Sequence, residues 1–277
     1  MNHKNEIRIV SLAPNVTSIL LALGAGKELV GVSLWCKDVA AVGRRPTVGD
    51  CWKLDVPEVM KLEPTLVIGS VPFAPETVAK LVAEPVAFLA INPRSLSDIE
   101  NDVRTLGRLA NRAANGEQLI RRMRKAFGSV RRRSDERRQT MHPRVYCEAW
   151  PNPRISSPPW VDELVTLAGG KLVVPTGQRV PDEQVAEANP DVIILAWAAT
   201  GTRAKPATAF QNPMWKNVSA VKNNRVFIVR DELLNTPGPP LVQGAQELEN
   251  IFRRCAPQSR ETRVGTNKLK GARRTGK

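Results

Sequence analysis

The stretch VMKLEPTLVIGS, Val59–Ser70, is the clearest indication of the fold class in the sequence. A short amphipathic run ends before a proline, and a run of apolar, strand-forming residues follows at once. The strand part, Leu66–Gly69, is apolar throughout instead of alternating, which is typical of a strand buried on both faces of a parallel sheet. The stretch therefore predicts a helix–strand unit of an α/β domain.

The same pattern returns in the second half of the chain. VAEANPDVIILA (Val185–Ala196) repeats the helix, the proline and the apolar strand. Likewise SILLALGAGKELVGV (Ser18–Val32) is similar to DELVTLAGGKLVVPT (Asp162–Thr176). Since both echoes occur in the same order in each half, we predict two Rossmann-like α/β lobes with parallel sheets. Chance similarity between generic helix–turn–strand units is the alternative.

A basic stretch, GEQLIRRMRKAFGSVRRRSDERRQT at residues 116–140, separates the two halves. Its apolar residues keep a three-to-four spacing, so one stripe packs while the arginines face water. The stripe consists of Leu119, Ile120, Met123, Phe127 and Val130. We predict one long rigid helix that joins the lobes and leaves a ligand cleft between the carboxyl ends of their sheets.

The net charge of +14 is localised in two segments. Residues 117–140 hold nine basic and three acidic residues, and residues 253–277 hold nine basic and one acidic. The other 23 basic and 23 acidic residues cancel. We predict an N-terminal lobe (1–115), the connecting helix (116–140), a C-terminal lobe (141–253) and a disordered basic tail (254–277).

Residues for catalysis or metal binding are not visible in the sequence. The two histidines, His3 and His142, lie in the polar start and before a proline, and no phosphate-binding glycine loop joins a strand to a helix. The four cysteines lack CxxC spacing, so we expect no zinc site. Cys36 and Cys51 are either a disulfide pair or free buried thiols. These features disfavour an enzyme, including one descended from a binding scaffold.

Five of the six tryptophans lie at or just past a predicted strand end. They are Trp35, Trp52, Trp150, Trp160 and Trp197. Phe73, in SVPFAP, follows another strand. The prolines of CEAWPNPRISSPPW (Cys147–Trp160) predict a loop that holds two of these tryptophans at the cleft mouth. Core packing is the alternative for any single aromatic residue.

Such a lining favours a large, flat or amphipathic ligand that is held by contact area and a few polar groups. The polar candidates are Asn15 after Pro14, Glu148, Arg179 and Asp231. A cap, a turn or a surface ion pair is the alternative role for each of them.

The chain resembles the corrinoid (vitamin B12) binding proteins of bacterial ABC importers, which belong to the helical-backbone class of substrate-binding proteins. The resemblance covers roughly residues 6–253. In the first lobe it rests on RIVSLAPNVTSILLALGAGKELVGVS, CKD and LDVPEVMKLEPTLVIG. In the second lobe it rests on EAWPNP, VDELVTLAGG, RVPDEQVAEANPDVIILA, NPMWKNVSAVKNNRVFIVRDE and TPGPPLVQG.

The resemblance implies a non-catalytic protein that holds a corrinoid, cobalamin or cobinamide, in the inter-lobe cleft. By position, Trp35 and Trp52 correspond to ligand contacts of the first lobe, and Trp150 and Asp231 to contacts of the second. Trp160 is similar to a tryptophan of the family's PP…GHW variant. Corrin cobalt arrives already ligated, so we expect neither a protein metal site nor an intrinsic cofactor.

The implied partner is the permease of an ABC importer, which family members dock through one acidic residue on each lobe. Glu76 suits the first lobe, whereas Thr200–Phe210 of the second contains no acid. Asn235 and Pro240 stand where the family usually has arginines, which removes possible ligand or docking contacts. We expect a monomer that does not bind nucleic acid.

The resemblance places the protein in the periplasm or elsewhere outside the cytoplasmic membrane. MNHKNEIRIVSLAPN shows no secretory pattern, so a cytoplasmic location stays open. A ferric-siderophore or haem binder on the same fold is the closest alternative. We rank it second because Arg179 is the one evident cleft arginine for an anionic siderophore, and haem iron favours His or Tyr. A cytosolic binder of nucleic acid or an acidic partner ranks lower, since the basic runs lack interleaved aromatics.

Overall fold

The first lobe is built on a five-stranded, all-parallel sheet. The computed structural model describes residues 6–136 and 142–255. The strands of this lobe are β1 (Ile9–Ser11), β2 (Leu29–Ser33), β3 (Thr47–Val48), β4 (Leu66–Ser70) and β5 (Ala87–Ile91). Their order in the sheet is β3-β2-β1-β4-β5, and every pairing is parallel. Because parallel neighbours need crossovers, helices cover the faces of the sheet.

The helices of this lobe begin where the sequence supplies a start signal. They are α1 (Pro14–Ala22), a 3₁₀ helix (Leu34–Asp38), α2 (Val56–Met60), α3 (Pro75–Val82) and α4 (Leu96–Leu109). Proline opens α1 and α3, where its fixed φ suits the first helical turn. The side chains of Asp55 and Ser95 cap α2 and α4 by accepting the backbone N–H of Glu58 and Asp98.

The second lobe has a mixed sheet. Its strands are β6 (Arg144–Pro151), β7 (Arg154–Ser156), β8 (Lys171–Leu172), β9 (Val192–Leu195) and β10 (Val226–Ile228). The order is β10-β9-β6-β7, with β8 also paired to β6, and only the β6–β7 pair is antiparallel. Its helices are α6 (Trp160–Leu167), α7 (Asp182–Ala188), α8 (Ala207–Phe210), α9 (Ser219–Lys222), α10 (Glu232–Asn235) and α11 (Pro240–Cys255).

The two lobes repeat one topology, as the sequence echoes predict. The strand order β2-β1-β4-β5 of the first lobe matches β8-β6-β9-β10 of the second. Equivalent turns share a left-handed residue: Gly24 and Gly169 follow α1 and α6, while Glu63 and Asn189 precede the prolines before β4 and β9. Since the similarity includes the backbone of these turns, the predicted α/β fold of two lobes is confirmed.

The proline-rich stretch Cys147–Trp160 is not a loop, contrary to the sequence-based expectation. Its first part belongs to β6, a central strand, and Arg154–Ser156 returns as β7. The ladder pairs Trp150 with Ile155. The prolines are tolerated because Pro151 is the last residue of β6 and Pro153 lies in the turn, where no ladder N–H is needed.

The connecting helix α5 spans Ala113–Asp135 and so begins before the predicted start at residue 116. All five residues of its predicted apolar stripe are buried. The predicted end of the helix falls on residues 137–140, outside the described residues. The predicted tail also lies outside them, except for Arg254 and Cys255, which complete α11.

One apolar core runs through both lobes. It joins α1 and α4 of the first lobe to α6 and α11 of the second across the buried face of α5. A hinge motion would have to open this close-packed core, so the lobes are held rigidly.

None of the described helices is long and apolar enough to cross a membrane.

The carboxylate of Asp102, in the middle of α4, destabilises the folded state when it is ionised. Burial, together with the negative charge of Asp98, raises its pKa to about 6. Because the folded-state pKa lies above that of the unfolded chain, the ionised carboxylate destabilises the fold above pH 6, and this cost fades as the pH falls toward 4.

We therefore expect Asp102→Asn to raise the free energy of unfolding by about 1–2 kcal/mol at neutral pH. Urea titrations near pH 7.5 and near pH 4 measure it. The gain should vanish at the lower pH, where the wild-type carboxyl is neutral as well. An equal gain at both pH values would contradict the electrostatic explanation.

Candidate functional site

A cavity of about 580 Å³ lies between the lobes. Its walls come from the segments that follow the parallel strands: Leu12 after β1, Trp35 after β2, and Asp50 to Trp52 after β3. From the second lobe come Ala198 to Gly201 after β9 and Arg230 to Glu232 after β10. The carboxyl ends of parallel strands are where open α/β sheets bind ligands, so this cavity is the candidate site.

Two exposed tryptophans form the first-lobe wall. Trp35 is 39% exposed and Trp52 is 63% exposed, which is unusual for so large an apolar side chain in the absence of a binding role. Trp35 donates its Nε1–H to Asp50 Oδ2 at 2.8 Å. Asp50 Oδ1 accepts the backbone N–H of Trp52 and Lys53, each at 2.9 Å. One carboxylate thus fixes both aromatic residues.

The charge of Asp50 is part of this arrangement. Burial alone would raise its pKa, but the hydrogen bonds from Trp35, Lys53 and Trp52 outweigh burial and lower the pKa of Asp50. The carboxylate is therefore ionised at neutral pH. It adds negative charge beside the aromatic wall.

Pro14, Asn15 and Trp160, at the first turns of two helices, also line the cavity. Pro14 and Asn15 open α1, and the Nδ2 of Asn15 is buried without a hydrogen-bond partner in the described part of the chain. Trp160 opens α6 and is mostly buried, with its Nε1–H donated to the Leu234 carbonyl at 2.8 Å. Asn15 therefore has a free donor, whereas the donor of Trp160 is already used.

Asp231 shapes the second-lobe wall. Its two carboxylate oxygens accept the backbone N–H of Ala199 at 3.0 Å and of Gly201 at 2.7 Å. Both residues have positive φ, 59° and 57°, a backbone that is unfavourable for Ala199 and so needs support. Burial raises the pKa of Asp231, and the two hydrogen bonds oppose that shift without cancelling it. Asp231 therefore lines the cavity and also holds the loop beside it.

The cavity is acidic, in contrast to the basic chain. The acidic and basic residues of its wall are Asp38, Asp50, Asp231 and Glu232 against Arg203 and Arg230. Arg203 donates to the carbonyls of Thr200 and Ala199 in its own loop, and Arg230 forms an ion pair with Glu232. The charge excess at the wall is therefore negative, which favours cationic ligands or ligands rich in N–H donors.

Phe73 and Trp197 were predicted at the cleft, but Phe73 is half-buried against the core of the first lobe and Trp197 is buried in the core of the second. The Phe73 ring covers Gly69, where a Cβ would lie 2.5 Å from it, and meets Phe88 edge to face at 5.4 Å. Trp197 is buried and donates its Nε1–H to Glu148 Oε1 at 2.8 Å. Both follow a strand end, but each side chain packs back onto its own sheet.

Trp150 and Arg179 do not line the cavity either. Trp150 is exposed, and its Nε1–H is donated to the Asn152 carbonyl at 3.0 Å. Arg179 is exposed and bridges to Ile155 of β7. Both belong to the β6–β7 hairpin or to the segment paired with it, and not to the parallel strand ends that form the cavity wall.

Glu148 was a polar candidate for ligand contact but is a completely buried structural residue. Its Oε2 accepts the Tyr146 hydroxyl at 2.9 Å and the Arg154 guanidinium at 2.7 Å. Arg154 also pairs with Asp182 and stacks over Trp215 at 4.3 Å. This network ties the hairpin to α7 behind the wall.

Several wall residues were missed or misjudged in the sequence. Arg203 and Arg230 are the cleft arginines, in place of Arg179, and Asp50 was overlooked although it lies at the same strand end as Trp52. Asn235, which was expected only to remove an arginine contact, lines the cavity itself: its Oδ1 has no partner among the described residues, while its Nδ2 donates to the Ala196 carbonyl at 2.7 Å. Asp50 and Arg230 could have been predicted from the sequence, because each follows the end of a strand.

The four cysteines are free and buried, so Cys36 and Cys51 do not form a disulfide. The Cys36 thiol lies within hydrogen-bonding distance of Thr17 and Ser33 in the core. Cys51 reaches the cavity wall, but burial raises its pKa to about 11, so it is a neutral thiol at pH 7. Within the described residues, no group of three or more His, Cys, Asp or Glu is placed to hold a metal ion.

Comparison with known proteins identifies the chain's relatives. A sequence model of the periplasmic binding protein family matches residues 9–233. The ABC transporter substrate-binding lipoprotein YvrC of Bacillus subtilis (strain 168) is 27% identical, with 90% of this chain and 81% of YvrC aligned. The vitamin B12-binding protein of Vibrio parahaemolyticus serotype O3:K6 is 23% identical, with 89% and 91% aligned.

Solved structures show the same fold. The periplasmic heme-binding protein RhuT from Roseiflexus sp. RS-1, in its apo form, superposes with a TM-score of 0.78. The superposition covers 91% of this chain and 99% of RhuT, at 24% identity. At that identity the likeness concerns the fold, and the ligand has to be inferred from the cavity itself.

We expect Asp50→Ala to release Trp35 and the Asp50–Lys53 turn. The exchange protection of the Trp35 indole N–H should fall by about tenfold, because that group loses its acceptor. The free energy of unfolding should fall by about 1–2 kcal/mol at neutral pH. Hydrogen exchange followed by NMR and urea titration measure the two effects.

Asp38→Ala is the matched control, since Asp38 lies on the same wall and makes no hydrogen bond or ion pair with the described residues. It should leave the Trp35 indole unchanged. The same loss of protection in both variants would mean that Asp50 does not hold the tryptophan.

Glu148→Gln should destabilise the second lobe by about 2–4 kcal/mol, because it leaves the mostly buried guanidinium of Arg154 with one of its two carboxylates gone. Urea unfolding at neutral pH measures the loss. Glu187→Gln, on exposed α7 surface, should change stability by less than about 0.5 kcal/mol. Equal effects of the two changes would refute the network's structural role.

Proposed function

The chain belongs to the periplasmic binding protein family, and from this premise we propose that it captures a corrinoid in the inter-lobe cleft for delivery to the permease of an ABC importer. It is an ABC transporter substrate-binding protein. Such proteins bind a solute and typically do not catalyse a reaction on it. The corrinoid is our inference about which solute this one carries.

The observation that carries the proposal is the combination of exposed tryptophans and carboxylates on the cavity wall. Trp35 and Trp52 offer flat apolar area for the faces and edges of a macrocycle. A corrin carries carboxamide side chains on its periphery, and their N–H groups are suitable donors to the carboxylates of Asp38 and Asp231. A corrinoid therefore matches both the apolar and the acidic parts of the wall.

Haem is the rival ligand, as the likeness to RhuT suggests. Haem iron needs an axial ligand such as His or Tyr, and haem carries two anionic propionates. Among the described residues, Tyr146 is fully buried away from the cavity, His142 does not line it, and Cys51 is a neutral thiol. Corrin cobalt arrives with its ligands in place, so a wall without iron ligands suits a corrinoid better.

Ferric siderophores fit less well for a reason of charge. Many of their complexes are anionic and pair with arginines, whereas this wall holds four carboxylates against two arginines. Arg230 already pairs with Glu232, and Arg203 donates to its own loop. An anionic complex would meet net repulsion in the cleft.

Delivery to a permease is supported for the first lobe only. Glu76 lies exposed in the first turn of α3, which agrees with the predicted docking role. In the equivalent part of the second lobe, α8 and the loop before it contain no acidic residue. We place the protein outside the cytoplasmic membrane by analogy with its lipoprotein and periplasmic relatives.

The test is calorimetric titration of the purified chain with cyanocobalamin, cobinamide and haemin. We expect saturable one-to-one binding of the corrinoids at micromolar affinity or tighter. Trp35→Ala and Trp52→Ala should each weaken binding by about tenfold, because each removes stacking area from the wall.

Trp150→Ala is the control, since this exposed tryptophan lies outside the cavity lining. It should leave the affinity unchanged, and a loss equal to that of Trp35→Ala would restore the role predicted from the sequence. Binding of haemin without binding of either corrinoid would overturn the proposed ligand. If none of the three compounds gives binding heat, the proposed ligand is wrong and only the similarity of fold to the relatives remains.

A further inference from the structure

The outward face of α5 carries a stripe of cations without acidic partners. Arg121, Lys125 and Arg132 lie opposite the buried stripe of the helix, and Arg122 flanks them. From the first to the last, the stripe extends about 16 Å along the helix. All four side chains are exposed, and none has a carboxylate within 4.0 Å in the described ranges 6–136 and 142–255.

The other cations of α5 are neutralised. Arg124 pairs with Glu100 at 2.5 Å, Arg131 with Asp135 at 3.8 Å, and Arg133 with Glu249 at 3.3 Å. Carboxylates therefore lie along the flanks of the helix, where it meets its neighbours, while the outward stripe keeps its full charge. Glu117 and Glu136 lie four residues from Arg121 and Arg132, but neither forms an ion pair with them among the described residues, and Glu117 pairs with Arg104 instead.

A second basic segment reaches the same end of the molecule. The last turns of α11 lie beside the last turns of α5, as the Arg133–Glu249 ion pair shows. α11 ends in the exposed residues Arg253 and Arg254. The sequence that follows, 256–277, contains seven basic residues and one acidic residue. The end of α11 thus adds two exposed arginines beyond the point where this helix contacts α5.

We propose that this basic face binds the surface of an anionic phospholipid bilayer. The basic face comprises Arg121, Arg122, Lys125 and Arg132 of α5. A straight row of outward cations on a rigid helix matches a flat, negatively charged surface, to which each lysine or arginine adds attraction. A substrate-binding protein of an ABC transporter works beside a membrane, so such a surface is available to it.

A nucleic acid is a less suitable partner, because α5 offers no exposed aromatic side chain on which a base could stack. Phe127, the only aromatic residue of α5, is buried in the core.

The basic face is separate from the ligand site, because no residue of α5 lines the inter-lobe cavity. Membrane contact through this face would therefore leave the cleft free, and the inference does not depend on which ligand the cleft holds.

The experiment is flotation of the full chain with vesicles of phosphatidylcholine that contain about 30% phosphatidylglycerol, against phosphatidylcholine alone. We expect binding to the anionic vesicles only. Raising the salt to about 500 mM should release the protein, because screening shortens the reach of the attraction. The variant Arg121→Gln/Arg122→Gln/Lys125→Gln/Arg132→Gln should bind about ten- to a hundredfold more weakly.

The matched control removes the same charge elsewhere: Lys80→Gln/Lys205→Gln/Lys216→Gln/Lys222→Gln, four exposed lysines outside α5 and α11. It should keep most of the vesicle binding, and circular dichroism should show both variants folded. Equal losses of vesicle binding in the two variants would mean that only net charge matters, and would contradict a specific role of the basic face. If the protein does not bind anionic vesicles, or binds a DNA duplex in preference to them, the proposal that the partner is a bilayer is wrong.

Discussion

Both lobes pack against the single helix α5, and this packing fixes the position of the two sheets and of the cavity between them. Leu119, Met123 and Phe127 bury one stripe of the helix in a core that also takes residues from α1, α4, α6 and α11. Because this core is continuous, the two sheets keep a fixed relation, and their strand ends face the same cavity. The site is thus largely pre-formed, which limits the ordering cost of binding a ligand.

Within that frame, two carboxylates act on backbone and indole N–H groups at the cavity. Asp50 fixes Trp35 and the turn at Trp52, and Asp231 supports the left-handed residues Ala199 and Gly201. Each aspartate closes a loop that follows a strand of its own sheet. The same groups that order the wall also give it negative charge, so the shape and the electrostatics of the site have one origin.

Charge is separated across the molecule. The cavity wall is acidic, whereas the outer face of α5 carries four exposed cations that form no ion pair among the described residues. The sequence reveals the basic segments, because they are continuous in the chain. It does not reveal the acidic wall, because Asp38, Asp50 and Asp231 are distant in sequence and converge only through parallel strand pairing. Net charge alone would therefore misjudge what the cleft attracts.

The two α/β lobes, the buried stripe of α5 and the tryptophans that follow β2 and β3 could all be predicted from the sequence. These features are local: a 3.6-residue period, a proline before a strand and a strand end can each be recognised within about a dozen residues. The folded structure was needed to show that Trp197 and Phe73 pack inward and that Glu148 supports Arg154. It also showed that Trp150 lies on a hairpin away from the cavity wall. Those outcomes depend on the β6–β7 pairing and on side chains brought together from separate elements, and no local pattern encodes such contacts.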